Sequence, residues 1–417
     1  MPTDPIRFLR TCGVTIVATT IIIACLNLFI DPYLVFGSPR LQGLNSRKSG
    51  VRTQQHLIKA YDVFRSHPDT LILGSSGMAV GVYARSREWP ITEQPVYNMA
   101  FVGATVFTAR RYLQHVLSVQ PLKFVVLGLD FRDLLSSVAS TNAAYESRLK
   151  VNQDGTINSK VARQRIYDLA FSALSMDAAR DSFETLVNNV SDDSADIQSG
   201  DIDAFDFRSK ISQVGSYPLF VLADLTYAQL YHDSKVNLKT TDEIQNIILL
   251  CQHSGVSLTL VLEPAHADEL ELAYISGKWP AIESWKRRLT QMAAATAQDS
   301  TSRVELWDFL EYDSYSTETV PYSRVKLRWF LTLSHFNPTL GDIVIRRISG
   351  LGDPSFGVKL TPDIINRRLE QVREEQMLYH SRQTQDVARI RKIYQVANGM
   401  GSTSTSVSGA VVANLGK

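Results

Sequence analysis

The chain has 417 residues, with 43 basic and 42 acidic side chains and a formal net charge of +1. So even a balance argues against the strongly basic face with which nucleic-acid-binding proteins neutralise phosphates, and the length allows one large core or two modest ones. Of the three cysteines, Cys12 and Cys25 lie in an apolar N-terminal segment, which leaves Cys251 without a partner for a disulfide in the folded part.

Residues 11–30 carry no charge, a stretch long enough to cross the hydrocarbon of a bilayer as a helix. Arg7 and Arg10 precede it and Asp31-Pro32 follow, so the positive-inside rule puts the N-terminus in the cytoplasm and the rest outside. No small-x-small cleavage site follows the run, and residues 1–31 are expected to be an uncleaved anchor. Ile22-Ile23-Ala24-Cys25 loosely resembles a lipoprotein cleavage site, but the apolar run continues through Ile30.

Residues 31–50 read as an irregular exit from the membrane, punctuated by Pro32, Gly37, Pro39 and Gly43. Helical spacing over 56–66 is followed by a βα series. Strands are expected at 70–73, 94–98, 123–127, 257–262 and 303–307, with helices near 104–119, 241–254 and 280–295. Strands apolar along their whole length suit a parallel sheet covered on both faces, and five of them imply a doubly wound α/β fold. Residues 134–240 are polar and helix-leaning, with an acidic Ser/Asp stretch at 191–203, and are expected to form an inserted helical cap or a plain surface insertion. The α/β domain is then 32–133 plus 241–350. Thr361-Pro362 suits a helix start, giving a C-terminal helical extension over 351–398, and the Gly/Ser/Thr-rich tail 399–417 is expected to be disordered.

The most informative stretch is Thr70-Leu71-Ile72-Leu73-Gly74-Ser75-Ser76-Gly77, a buried-strand run that stops in a Gly-Ser-Ser-Gly turn. Ligands of open parallel sheets bind outside the carboxyl ends of the strands, so Ser76 is a candidate nucleophile. By itself such a turn is often only a strand-to-helix connection. His335 stands in Ser334-His335-Phe336-Asn337-Pro338, where it serves either as a base or as a cap for the helix beginning near Pro338. Glu263 and His266 come after a strand end and line the same cleft or a surface loop. No His-x-x-x-His spacing, P-loop or Gly-x-Gly-x-x-Gly after a strand is present, so no metal or cofactor is expected.

In their order these motifs resemble the SGNH hydrolase-like superfamily, which includes the GDSL esterases. They resemble in particular its membrane-anchored bacterial envelope members linked to exopolysaccharide modification, whose flanks Asp31-Pro32-Tyr33 and Trp285-Lys286-Arg287 also look similar. Gly74-Ser75-Ser76 stands for the family's Gly-Asp-Ser, 98–103 for its second block and Gly128-Leu129-Asp130 for its third. The resemblance implies Ser76 as nucleophile, His335 as general base, and the Ser76 and Gly103 N–H groups in an oxyanion hole. Asp130 stands where the family has an oxyanion-hole Asn, and an ionised carboxylate only accepts hydrogen bonds. Thr332 stands where the family has the Asp that orients its His; Asp308 or Asp342 would then have to supply that carboxylate. Ser75, Asn98, Glu263, His266 and Thr332 are the expected substrate-binding residues.

The same resemblance implies an acyl esterase or O-acyltransferase, acetyl being the expected group, that acts through Ser76 and His335 on an envelope or exopolysaccharide glycan. It would be a single-pass inner-membrane protein with its bulk in the periplasm, and polysaccharide-assembly proteins are candidate partners. The alternative is a catalytically degenerate glycan-binding or scaffolding protein of the same fold, which Thr332 and Asp130 favour.

Overall fold

The structure is a computed structural model and describes residues 5–51, 53–135, 143–189, 201, 215–295, 302–322 and 325–399. The expected disordered tail beyond residue 399 and nearly all of the acidic stretch 191–203 lie outside the described residues. Among the described residues the α-helices of six residues or more are, in chain order, α1 (Pro5–Ile30), α2 (Gln55–Ser66), α3 (Ser76–Gly81), α4 (Val106–Leu117), α5 (Val161–Leu174), α6 (Met176–Asn188), α7 (Ser216–Asp233), α8 (Lys239–His253), α9 (Ala267–Ile275), α10 (Trp279–Ala295), α11 (Pro338–Ile348), α12 (Ile365–Arg382) and α13 (Thr384–Gly399). The strands are β1 (Thr70–Leu73), β2 (Val96–Asn98), β3 (Phe124–Leu129), β4 (Ser257–Leu262), β5 (Val304–Asp308), β6 (Phe330–Thr332), β7 (His335–Phe336) and β8 (Val358–Lys359).

The chain divides into two compact units. The first comprises Met1–His67, Gln114–Gln120 and Thr141–Ile202. Its helix α1 is long and apolar enough to cross a membrane, with a mean hydropathy of 2.3 over 18 residues. The irregular segment after α1 folds back on itself: the Asp31 carboxylate accepts hydrogen bonds from the N–H groups of Val35 and Gly37, each at 2.8 Å. Tyr33 is fully buried, stacks on Phe171 and donates to Asp181 at 2.9 Å. Far from a loose exit, residues 31–35 are buried. The expected single insertion over 134–240 is therefore two things, because residues 141–202 belong with the N-terminal segment while α7 belongs with the sheet.

The second unit comprises Pro68–Leu113, Pro121–Ser140 and Asp203–Lys417. It is α/β, built on a six-stranded sheet in the order β2-β1-β3-β4-β5-β8. The first five strands pair in parallel, and β8 adds an antiparallel edge on β5. That edge strand is only Val358–Lys359, two residues too short to leave a periodic signal, which is why five strands rather than six are expected from the sequence. Leu71, Ile72 and Leu73 of β1 and Leu127 of β3 are completely buried, as a strand covered on both faces requires.

The C-terminal extension is part of this core. Helix α12 begins at Ile365 rather than at Thr361, whose hydroxyl bonds Asp363 instead of capping, and the helix is interrupted at Gln383 before α13. Arg368 of α12 pairs with the buried Asp308 and Glu311, and Arg389 of α13 pairs with the buried Asp224 and Asp268.

Candidate active site

The site lies at the carboxyl ends of β1, β3 and β4, next to the point where strand order reverses between β1 and β3. After β1 the chain turns at Gly74, whose φ of +146° suits glycine, and Ser75 and Ser76 lead into α3. The Asn98 amide at the end of β2 braces that short helix, donating to the carbonyls of Met78 at 3.2 Å and Val82 at 2.8 Å. Close packing holds it from the other side. A Cβ on Gly81 would stand 2.3 Å from the Phe336 ring, and one on Gly341 of α11 would stand 1.7 Å from the Gly81 carbonyl. These contacts seat the β6–β7 hairpin on α3, and the hairpin delivers the histidine.

His335 Nε2 lies 2.8 Å from Ser76 Oγ, although 259 residues separate the two in sequence. The ring's Nδ1 lies 2.7 Å from Thr332 Oγ1 and 3.3 Å from Ser334 Oγ. Ser334 donates in turn to the Tyr227 hydroxyl at 3.0 Å, and Tyr227 also accepts from the Arg132 guanidinium. With its proton directed to Tyr227, Ser334 offers His335 only lone pairs. That polarity favours N–H on Nδ1 and leaves Nε2 free to take the Ser76 proton, as a general base must. Burial pushes the His335 pKa down to about 3, Arg132 adds to the effect and Asp130 opposes it, so the ring is neutral at physiological pH.

The Asp130 carboxylate caps the turn after β3, accepting from Arg132 N–H at 2.8 Å, and is ion-paired with the Arg132 side chain. Asp133 completes a capping box with it. The carboxylate therefore has structural work, spent on the Arg132 backbone and side chain. Gly103 is exposed, with φ of +74°, on a loop tied to the β1 turn by the Phe101 N–H to Gly74 carbonyl bond at 3.2 Å. Ser75 is the N-cap residue of α3 and is partly exposed.

Other expected residues are spent elsewhere. Asp308 does not orient His335. It is completely buried and its carboxylate takes Lys286 at 2.8 Å and Arg368 at 3.5 Å, because two buried cations demand it. Asp342, the other option, accepts from Ser86 at 2.5 Å. Asn98 is completely buried and spends its amide on α3 and on the Ala100 N–H, so it is a brace and not a substrate ligand. His266 is likewise buried, caps α9 through the Asp268 N–H and contacts the Glu318 carbonyl at 2.6 Å.

Glu263 is also closed to a substrate. It is 5% exposed and wedged under the Gly74–Gly77 turn, where a Cβ on Gly77 would stand 1.9 Å from its Oε2. Neither carboxylate oxygen has a hydrogen-bond partner among the described residues. Burial, and then the nearby Asp130 and Asp133 charges, hold its pKa well above the carboxylate range. The cavity beside it, lined by Asp130, Glu263 and Glu269, measures about 10 Å³, room for about one water and not for an acyl group.

Tyr227, Arg132 and Glu269 complete the surroundings without having been expected, and Ser334, though part of the His335 motif, was given no role. Ser334 and Arg132 adjoin motif residues, and that adjacency was a usable signal. Tyr227 sits on α7 with no motif near it, and only the fold brings it in. Among the described residues no three His, Cys, Asp or Glu side chains form a metal-holding group. No protein-family model and no curated protein sequence matches this chain.

Proposed function

We propose that this is a membrane-anchored, SGNH-like serine acyl esterase or O-acyltransferase with a doubly wound, flavodoxin-like sheet, in which Ser76 attacks the acyl carbon and His335 takes its proton. The observation that carries the reading is the 2.8 Å contact between Nε2 and Oγ at the carboxyl end of a parallel sheet. The N–H groups of Ser76 and Gly103 are the proposed oxyanion donors; loss of one such donor ordinarily costs ~10²–10³ in rate. In the tetrahedral intermediate the imidazolium is steadied by the Thr332 and Ser334 hydroxyls, which makes this a weaker triad than one with a carboxylate. The apolar α1 would hold the enzyme in the inner membrane with its bulk in the periplasm, close to a membrane-associated glycan as acceptor or substrate. Acetyl is the proposed group.

The test is hydrolysis of an acetyl ester reporter by the full chain in detergent, compared with Ser76→Ala, together with labelling by a fluorophosphonate. Turnover and labelling that both require Ser76 support the reading. Equal background in the two proteins would overturn it and favour the second reading, a glycan-binding or assembly-scaffolding protein of the same fold, for which the absence of a carboxylate at Thr332 speaks.

A further inference from the structure

Helices α5 and α6 of the first unit are built inside out. Their buried positions include Asp168, Ser172, Asp181, Ser182 and Thr185. Their exposed positions carry Ile166, Tyr167 and Leu174 on α5 and Met176, Phe183 and Val187 on α6, with Met176 70% and Ile166 69% exposed; Asp177 and Arg180 of α6 are exposed among them, and Arg180 pairs with Glu184 at 2.9 Å. Tyr167 and Leu174 on α5 are seven residues apart, and Met176, Phe183 and Val187 on α6 are spaced by seven and four, so each set shares one side of its helix, with Ile166 on the flank of the α5 set. A helix facing water carries the opposite pattern, whereas small and polar residues at helix contacts with apolar residues outside suit a lipid surround.

The pairing with the N-terminal segment gives the stripes a depth. Tyr33, beyond the end of α1, contacts Phe171 and Asp181. Asn27, in the last turn of α1, donates to the Ala173 carbonyl at 3.0 Å and accepts from Ser182 at 2.9 Å. Moving from Tyr33 back to Asn27 therefore moves along α5 toward its end. The corner Leu174-Ser175-Met176 comes next beyond Ala173 along the chain. In the other direction α5 rises 1.5 Å per residue through Tyr167 to the exposed Arg163 and Lys160.

We propose that the outer faces of α5 and α6 rest in the interfacial zone of the bilayer that α1 enters, with the Leu174–Met176 corner deepest, Tyr167 at headgroup level, and Arg163 and Lys160 over anionic headgroups. This rests on α1 as a span and is independent of the chemistry at Ser76. Aromatic residues at headgroup depth and basic residues beyond them are the ordinary order of a membrane interface.

The experiment uses the full chain with Cys12 and Cys25 replaced by serine, reconstituted in phosphatidylcholine–phosphatidylglycerol vesicles. Nitroxides are attached through Met176→Cys or Phe183→Cys, with Ile16→Cys to report the span and Gln153→Cys as an aqueous reference. Collisions with oxygen that exceed those with a water-soluble nickel complex at 176 and 183, and the reverse at 153, are expected. Water-like behaviour at 176 and 183 with lipid-like behaviour at 16 would overturn the proposal alone. Water-like behaviour at 16 would overturn the span and the proposal with it. Spin–spin broadening between 176 labels at high lipid dilution would mean that a second copy covers the face, which also overturns it.

Discussion

Thr332 Oγ1 lies 2.7 Å from His335 Nδ1, three residues before it, where the hydrolases that the proposed function invokes place a carboxylate. A hydroxyl can accept the ring N–H and so fix the tautomer, but it brings no charge to stabilise an imidazolium. Putting the charge back is the direct test of that difference. Thr332→Asp is expected to raise kcat/KM for an acetyl ester by about tenfold or more, a modest fraction of the ~10⁴ that a triad acid can contribute. Thr332→Val should lower it. A rate in Thr332→Asp at or below that of the native chain counts against His335 as a base.

The burial of His335 sets the pH profile. Its folded pKa of about 3 lies below the ordinary value of 6.5, so the neutral, base-competent ring persists well into acid. The kcat/KM profile should lack the usual inflection near 6.5. Stability moves in the same direction: the unfolded chain takes up the proton as pH falls below about 6.5, so this group costs folding stability progressively from there down to about 3. Thr332→Asp should move the acid limb of the rate profile upward, since an adjacent carboxylate favours the charged ring. Rate measurements from about pH 4 to about pH 9 on both proteins decide it.

Glu263 makes the opposite demand. Its folded pKa is raised by burial, so the folded state holds a proton that the unfolded chain releases above the ordinary carboxylate range. The stabilisation is complete below the unfolded pKa near 4.5 and is lost as pH rises through the folded pKa. Glu263→Gln mimics the protonated form and should be increasingly more stable than the native chain between about pH 5 and about pH 9. Thermal unfolding at those two pH values tests this; an equal Tm difference at both would contradict a protonated Glu263.

Gly341 packs against the carbonyl of Gly81, and a methyl group there would stand 1.7 Å from that oxygen. Since the obstacle is backbone, Gly341→Ala should cost roughly 1–3 kcal/mol by overpacking. It should also lower Ser76-dependent turnover, because α3 carries the proposed nucleophile. Denaturant unfolding and the ester assay read the two effects separately.

Arg389 bonds Asp224 at 2.9 Å and Asp268 at 2.5 Å, with all three side chains buried. Arg389→Ala leaves two carboxylates without their cation and should destabilise the second unit by about 3–5 kcal/mol. Unfolding at the native midpoint would show that α13 is an independent appendage.

Much of the sheet was legible. The strands at 70–73 and 257–262 are where apolar runs put them, since a strand buried on both faces must be apolar throughout. The spacing of Thr332 from His335 and the position of Ser76 after β1 were readable too. Asp308 misled because a carboxylate at the end of a strand looks like a site residue until its partners Lys286 and Arg368, 22 and 60 residues away, are seen around it. Asn98 and His266 misled in the same way: each is polar, adjacent to a motif and spent on backbone groups. The hairpin that carries His335 was invisible, because strands of three and two residues have no period to detect.

The sequence by itself determined an apolar N-terminal helix, a parallel α/β sheet and the residue types that could perform acyl transfer, because hydrophobic runs and turn residues act locally. Only the tertiary structure decided that Nε2 of His335 meets Ser76, that Thr332, Ser334 and Tyr227 rather than Asp308 stand behind the ring, and that α5 and α6 turn their apolar sides outward. Those outcomes depend on which buried charges neutralise one another and on backbone approaches at Gly81 and Gly341, and both are set between segments far apart in the chain.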